Sequence, residues 1–501
     1  MTTSPGPAPI DHFGVALDNA GLKHRSIRGS MVTALSQVLK LVISLGSQVV
    51  IARLLFPSDF GLLAMVYPII GFIQVFNDLG LGQVIIQRPA LEQAQVSALF
   101  WINIALSGAL AFIVILLSPL AAWVYGEPRV TGIMASLALI LPIAALGIHP
   151  VALLTRQMKF GLLARNEVAA ALIGVIVTIA TAWLGMSYWS LVLGQLCSTV
   201  SSDILGWAAC KWRPSRPALH SESKADLKFG GNVTGANLAN YITTSSDNII
   251  IGVMNGKVPL GLYDRSYRLV VQPVSQMIAP ISRVALPLLS RLADSPDAYR
   301  VAYLRIARAL MLLTVPGMLV CIANAQTMID VFLGDRWHDA GPVFGWICVG
   351  GLTSAIYSSA VWLFISQGRT RDMRNVLTVA SVLNLASFLA GSFWGIVTVA
   401  AAAAIVFVLV TTPLVVFGAT RSGPVRTRDM AALLATFSIG GALVYAMLLV
   451  EAHAFPLRGL AQIIVATLVA YGGFAMLTMA IPAERRAALS AINAVRPARN
   501  N

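Results

Sequence analysis

The sequence predicts an all-α protein that threads a membrane about fourteen times. Three observations carry that reading. The 501 residues are 57% hydrophobic and only 11% charged, with a mean hydropathy of +0.78, whereas soluble domains carry about 25% charge. Apolar stretches of about 18–25 residues follow one another with short polar gaps, each long enough to cross a bilayer core as a helix. Lys and Arg alternate with those stretches, gathering in every second gap. Backbone polar groups in hydrocarbon must be paired internally, so apolar stretches of this length are read as helices.

The elements follow in order. Residues 1–28 are a polar, Pro-rich tail whose first twenty residues lack an apolar core, so the first span itself is the expected insertion signal. A first six-helix lobe, 29–210, holds spans near 31–52, 60–80, 98–120, 130–150, 167–185 and 188–209. A basic linker, 211–228, leads to a second lobe, 229–418, with spans near 229–254, 264–290, 303–325, 342–366, 374–392 and 394–417. Two further helices near 430–450 and 459–481 occupy 430–481, and a basic tail, 482–501, ends the chain. The expected architecture is two pseudo-symmetric six-helix lobes plus two extra C-terminal helices. This plan leaves no room for a soluble catalytic domain.

With this span count, 27 of the 35 Lys and Arg fall on the side of the N-terminus and 6 on the other, while Lys40 and Arg268 lie inside spans. Basic loops stay in the cytoplasm, so both termini are placed there. The net charge of +14 is thereby a topology signal, and nucleic acid is not an expected partner.

An internal repeat supports the two lobes. Aligning Gly61 with Gly261 sets Gln37 against Asn237, Lys40 against Asn240, Ser44 against Thr244, Ser47 against Asp247 and Gln48 against Asn248 without a gap. An even number of spans separates the copies, so they share one orientation in the membrane. Pro57–Leu62 and Val258–Tyr263 read as the matching loops after the first helix of each copy.

Within spans 1 and 7 these polar residues recur at helical spacing, giving each helix one polar face. Burying such groups against lipid is costly unless they are solvated or paired. The two stripes are therefore expected to face a wet central cavity. The candidate substrate-binding residues are Lys40, Gln37, Ser44 and Gln48 in the first lobe and Asn237, Asn240, Tyr241 and Arg268 in the second. Lys40 either attracts an anionic substrate or pairs with a carboxylate such as Asp247. Asp247 and Asp203 are the candidate coupling carboxylates.

No Walker-type phosphate loop, HExxH or GxSxG motif occurs. The four cysteines lack metal-ligand spacing and the six histidines are dispersed. No catalytic residue, metal or cofactor is expected, and the chain is read as a non-enzyme.

The run Ile51-Ala52-Arg53-Leu54-Leu55-Phe56-Pro57-Ser58-Asp59-Phe60-Gly61-Leu62, then Asp78-Leu79-Gly80-Leu81-Gly82 and Ile86-Gln87-Arg88, resembles a family signature. Asp247-Asn248, Gly261 to Arg268 and Pro287 to Leu292 are its second-half counterparts. They are similar to the bacterial polysaccharide-transport family of the multidrug/oligosaccharidyl-lipid/polysaccharide exporter superfamily, in the branch exporting succinoglycan- or colanic-acid-like exopolysaccharides. The resemblance implies a flippase in the bacterial inner membrane. It would move undecaprenyl-diphosphate-linked oligosaccharide repeat units from the cytoplasmic to the periplasmic leaflet by alternating access, for exopolysaccharide or lipopolysaccharide biosynthesis. Its implied partners are lipid-linked oligosaccharide, membrane lipids, and a polysaccharide polymerase and co-polymerase. The family's cavity is cationic, and here only Lys40 and Arg268 supply charge. A drug/cation antiporter of the same superfamily and a peptidoglycan lipid-precursor flippase are the alternatives. An antiporter needs carboxylates in the cavity, which Lys40 opposes.

Overall fold

The computed structural model describes residues 19–78, 92–216, 246–454 and 457–480, together with Gly82, Ile85 and Ile86. Among the described residues the regular elements are helices. The chain divides into two compact units, Met1–Lys257 and Val258–Asn501.

In the first unit, α1 (Asn19–Leu54) and α2 (Pro57–Asp78) are followed by α3 (Gln93–Tyr125), α4 (Arg129–Ala138), α5 (Ile140–Arg156), α6 (Phe160–Trp183) and α7 (Trp189–Ala209). Helix α1 starts inside the stretch read as a tail. A capping box fixes the start of α3, with the Glu92 side chain accepting from the first turn and Gln95 accepting from the Glu92 N–H. Gly126 ends α3 in the left-handed conformation (φ +63°), its N–H bonded to the last-turn carbonyls, and Pro128 blocks continuation. Helices α4 and α5 together make one membrane-length segment, Arg129–Arg156.

The contact between α6 and α7 is made by small residues. A Cβ at Gly194 would collide with Thr178, and one at Gly174 with Ser198 and the Gly194 carbonyl. Close backbone approach is how membrane helices gain packing without a hydrophobic drive. Helix α1 packs along α6.

Helix α8 (Lys257–Arg291), whose first residue is the last of the first unit, opens the second and leads into α9 (Pro296–Ala323), α10 (Ala325–Phe332), α11 (Ala340–Gly351), α12 (Ser354–Ser366), α13 (Thr370–Ser392), α14 (Ile396–Val406) and α15 (Thr412–Thr420). Between α14 and α15 the helix widens into a π turn, Phe407–Thr411. Pro413 accounts for it: proline has no N–H to give, and its ring crowds the carbonyl four residues back, on Leu409. The last two helices, α16 (Thr427–Ala454) and α17 (Leu460–Ala480), belong to the core of this unit. Phe437 stacks on Phe474 at 5.9 Å, and both belong to one buried apolar cluster with Leu310, Leu319 and Ile356. Tyr471 donates to the Leu313 carbonyl at 2.8 Å.

Eleven helical segments among the described residues are long and apolar enough to cross a membrane. Helices α2 and α7, 22 and 21 residues long, stand outside that set; α7 carries Ser198, Thr199, Ser201, Ser202 and Asp203. The span expected at 229–254 falls largely outside the described residues, which resume as helix from Ser246. The protein is an all-α, multi-pass membrane protein.

The two stretches read as loops are helical. Pro57 is the first residue of α2, and Pro259 is the third of α8. The first turn of a helix has no intrahelical use for its N–H groups, so proline is accommodated there.

Candidate functional site

The four predicted residues of α1 lie on one helical face. Ser44 is its hub: its carbonyl accepts from Ser47 Oγ at 2.9 Å, and its Oγ accepts from Gln48 Nε2 at 3.3 Å. Gln37 and Ser44 are half-buried, and Gln48 is buried. One turn before Ser44, Lys40 Nζ donates to Glu167 Oε2 of α6 at 2.6 Å. The two side chains are 29% and 49% exposed. The sequence reading offered Asp247 as a carboxylate for Lys40. The structure gives it Glu167 instead, a residue 127 positions away that no motif singled out.

Asn237, Asn240 and Tyr241 lie outside the described residues. Asp247 is half-buried in the helical segment that follows them, and its Oδ1 accepts the Asn248 N–H at 2.8 Å. In the second unit, Arg268 Nε donates to both oxygens of Asp264, at 3.0 and 2.9 Å. Asp264 is buried while Arg268 is 42% exposed, so the acid, one turn earlier on α8, fixes the guanidinium. Tyr263 and Tyr267 stack at 5.9 Å on the same helix. Asp264 was missed, although an acid four residues before a base is a readable helical pair.

Asp203 sits on α7 against α5. A Cβ at Gly147 would come within 2.0 Å of Asp203 Oδ1, so the carboxylate fills space that only glycine leaves open. Asp203 Oδ2 is buried and has no hydrogen-bond partner among the described residues.

A second charged cluster involves the turn after α3. Glu127 accepts from Arg129 Nε at 2.7 Å and Nη2 at 3.2 Å, and from Lys257 Nζ at 2.6 Å. The Arg129 hydrogen bond, joined by that of Lys257, holds the Glu127 carboxyl at about 2, against the opposing push of partial burial. Gly61 lies against the backbone of Lys257, where a Cβ would sit 1.7 Å from the carbonyl oxygen. Nearby in the chain, Asp59 accepts the Phe56 N–H at 2.9 Å and is bonded by Ser187 Oγ. These are residues of the first signature run, and they shape a helix start.

Comparison with known proteins adds the family. The sequence profile described as "Polysaccharide biosynthesis protein" matches residues 50–342. The chain belongs to that family. It is 25% identical over 352 residues to the lipopolysaccharide biosynthesis protein WzxC of Escherichia coli K12, covering 70% of this chain and 71% of that one. It is 24% identical to the succinoglycan biosynthesis transport protein ExoT of Rhizobium meliloti 1021, covering 59% and 60%. Among solved structures, the lipid II flippase MurJ superposes with a TM-score of 0.72 at 13% identity, covering 90% of this chain and 98% of that one. A multidrug-resistance MATE transporter of the MOP superfamily gives 0.59 at 14%, covering 79% and 96%. The fold is shared with these two solved proteins, and the named relatives include a transport protein.

Proposed function

We propose that the protein is a flippase for polyprenyl-diphosphate-linked oligosaccharides, moving repeat units from the cytoplasmic to the periplasmic leaflet of a bacterial inner membrane for exopolysaccharide or lipopolysaccharide biosynthesis. The observation that carries the reading is family membership in a chain built almost wholly of membrane-length helices. Polysaccharide precursors are assembled on a lipid carrier, and a protein of this build acts on them by moving them.

Both termini face the cytoplasm in this proposal. Lys40 is the cation for the diphosphate and Arg268 the second. Gln37, Ser44 and Gln48, with Asn237, Asn240 and Tyr241, hydrogen-bond sugar hydroxyls. Asp203, whose buried Oδ2 has no partner among the described residues, and Asp247 couple the cycle to an ion gradient. The two lobes alternate access, and a polymerase and co-polymerase take the product. The chain does no covalent chemistry in this scheme.

Deleting the gene in its native host, with mass spectrometry of extracted lipids, tests this. Accumulated polyprenyl-diphosphate oligosaccharide with loss of surface polymer is expected. Unchanged lipids and polymer, with new sensitivity to cationic drugs, would move the protein to the antiporters.

A further inference from the structure

We infer that Glu167 is an exchange partner for Lys40: it holds the ammonium in the empty transporter, gives it up to the substrate's diphosphate, and takes a proton as it does so. The inference rests on the proposed diphosphate substrate and assigns a role to a residue outside every motif.

The geometry supports exchange over a fixed structural bond. Lys40 Nζ and Glu167 Oε2 are 2.6 Å apart, and both side chains remain open to their surroundings, at 29% and 49% exposure. Glu167 lies seven residues into α6, about 10 Å along its axis. Lys40 lies fourteen residues before the end of α1 and Glu167 sixteen before the end of α6, about 21 and 24 Å from those ends. The pair therefore sits at one level, about a third of the way in from the proposed cytoplasmic side. A half-exposed carboxylate at that depth calls for an aqueous approach on its open side.

A diphosphate oxygen reaching Lys40 from that side competes directly with Glu167 for the ammonium protons. Once displaced, Glu167 becomes an uncompensated charge beside an incoming anion. Taking one proton from the aqueous side relieves both the desolvation and the repulsion. The proton leaves when substrate leaves and the pair re-forms. No covalent bond changes.

The neighbourhood offers few substitutes. The other titratable groups on α6 and on the helices packed against it are Arg165 on α6, Lys23, His24, Arg25, Arg28 and Arg53 on α1, His149 and Arg156 on α5, and Cys197 and Asp203 on α7. Arg165 donates to Asn166 Oδ1 at 3.5 Å, Arg156 to the Ile85 carbonyl at 3.0 Å, and His149 is enclosed by Phe100 and Trp212.

The test measures binding of farnesyl diphosphate, a water-soluble polyprenyl diphosphate, to the full chain in phosphatidylcholine nanodiscs between pH 8 and pH 4.5. Wild type, Glu167→Gln, Glu167→Asp and Lys40→Ala are compared. Removing the competitor should tighten binding of Glu167→Gln roughly 5-fold over wild type at pH 8. The two curves should converge as pH falls, because wild type then also carries a neutral side chain. The probe's own titration is common to both. Glu167→Asp, with its carboxyl drawn back, should lie between them at pH 8 and still converge; it carries the test if Glu167→Gln does not fold. Parallel wild-type and Glu167→Gln curves, with Lys40→Ala still weak, overturn the exchange and leave the diphosphate reading standing. Lys40→Ala binding as wild type overturns both the exchange and the role given to Lys40.

Discussion

Two glutamates in the first unit accept a lysine at the same 2.6 Å and are built for different work. Glu127 is 13% exposed and holds two cations, Lys257 and Arg129, at the turn that Gly126 and Pro128 define. Glu167 is 49% exposed and holds one, inside a membrane-length helix. Bond length does not separate them. Enclosure and the number of partners do: a carboxylate with two donors in a capped turn is costly to open, whereas one with a single donor and an open side can trade it. The cluster of Glu127 is read as fold and the pair of Glu167 as function.

The comparison breaks first at Lys40. Lys40→Ala should lower transport of lipid-linked oligosaccharide in vesicles by roughly 10- to 100-fold, the worth of a hydrogen bond to a charged group, with expression unchanged. Lys40→Arg should recover part of it, because charge is retained. Normal transport by Lys40→Ala would mean that the pair on α1 and α6 is as structural as the one at Glu127.

On the structural side the largest effect is expected at Gly61. Its Cβ would meet backbone, the Lys257 carbonyl at 1.7 Å, and backbone cannot rotate away. Gly61→Ala should cost about 3 kcal/mol, seen as a lower midpoint in thermal unfolding of purified protein. Wild-type stability would place Lys257 elsewhere and dissolve the cluster.

Much of this contrast could not be read from the chain. Spans were legible because length and hydropathy alone decide what a bilayer accepts. The polar face of α1 was legible because Gln37, Lys40, Ser44 and Gln48 recur at helical spacing. The partner of Lys40 was not: Glu167 is 127 residues away, and only the packing of α1 on α6 joins them. Glu127 likewise reaches Lys257 across 130 residues. Asp264 was legible as an acid four positions before Arg268, but the cation drew the reading and its partner did not. Proline misled at Pro57 and Pro259, where a helix start was taken for a loop.

The Glu127 cluster itself can be sharpened by pH. Glu127→Gln should destabilise the protein by about 1–2 kcal/mol at pH 7, kept small because Lys257 and Arg129 are themselves partly exposed. The folded carboxyl titrates at about 2, below its ordinary value of 4.5. The folded state therefore holds its proton less tightly than the unfolded one, and the stabilisation is present above about pH 5 and lost as pH falls toward 2. The wild-type and variant unfolding midpoints should approach each other on acidification and stay apart at neutral pH. A gap that does not change with pH would assign the loss to packing instead of charge.

The smallest effect is expected at Asp264, where the comparison extends to the second unit. Asp264 is enclosed as Glu127 is, yet its cation, Arg268, is 42% exposed as Lys40 is. The pair thus combines a fixed acid with an available base, and the acid's part is to aim the guanidinium. Asp264→Asn keeps the shape and one acceptor oxygen while removing the charge, so Arg268 keeps its place but loses the two-oxygen grip. Transport should fall about 2- to 5-fold, through a higher substrate concentration at half-maximal rate with the maximal rate little changed. Arg268→Lys should lose more, because an ammonium held by Asp264 lacks the planar fork of donors that the guanidinium keeps for the substrate. Equal and full activity in both variants would mean that Arg268 meets lipid headgroups and not substrate, leaving Lys40 as the cation that carries the diphosphate.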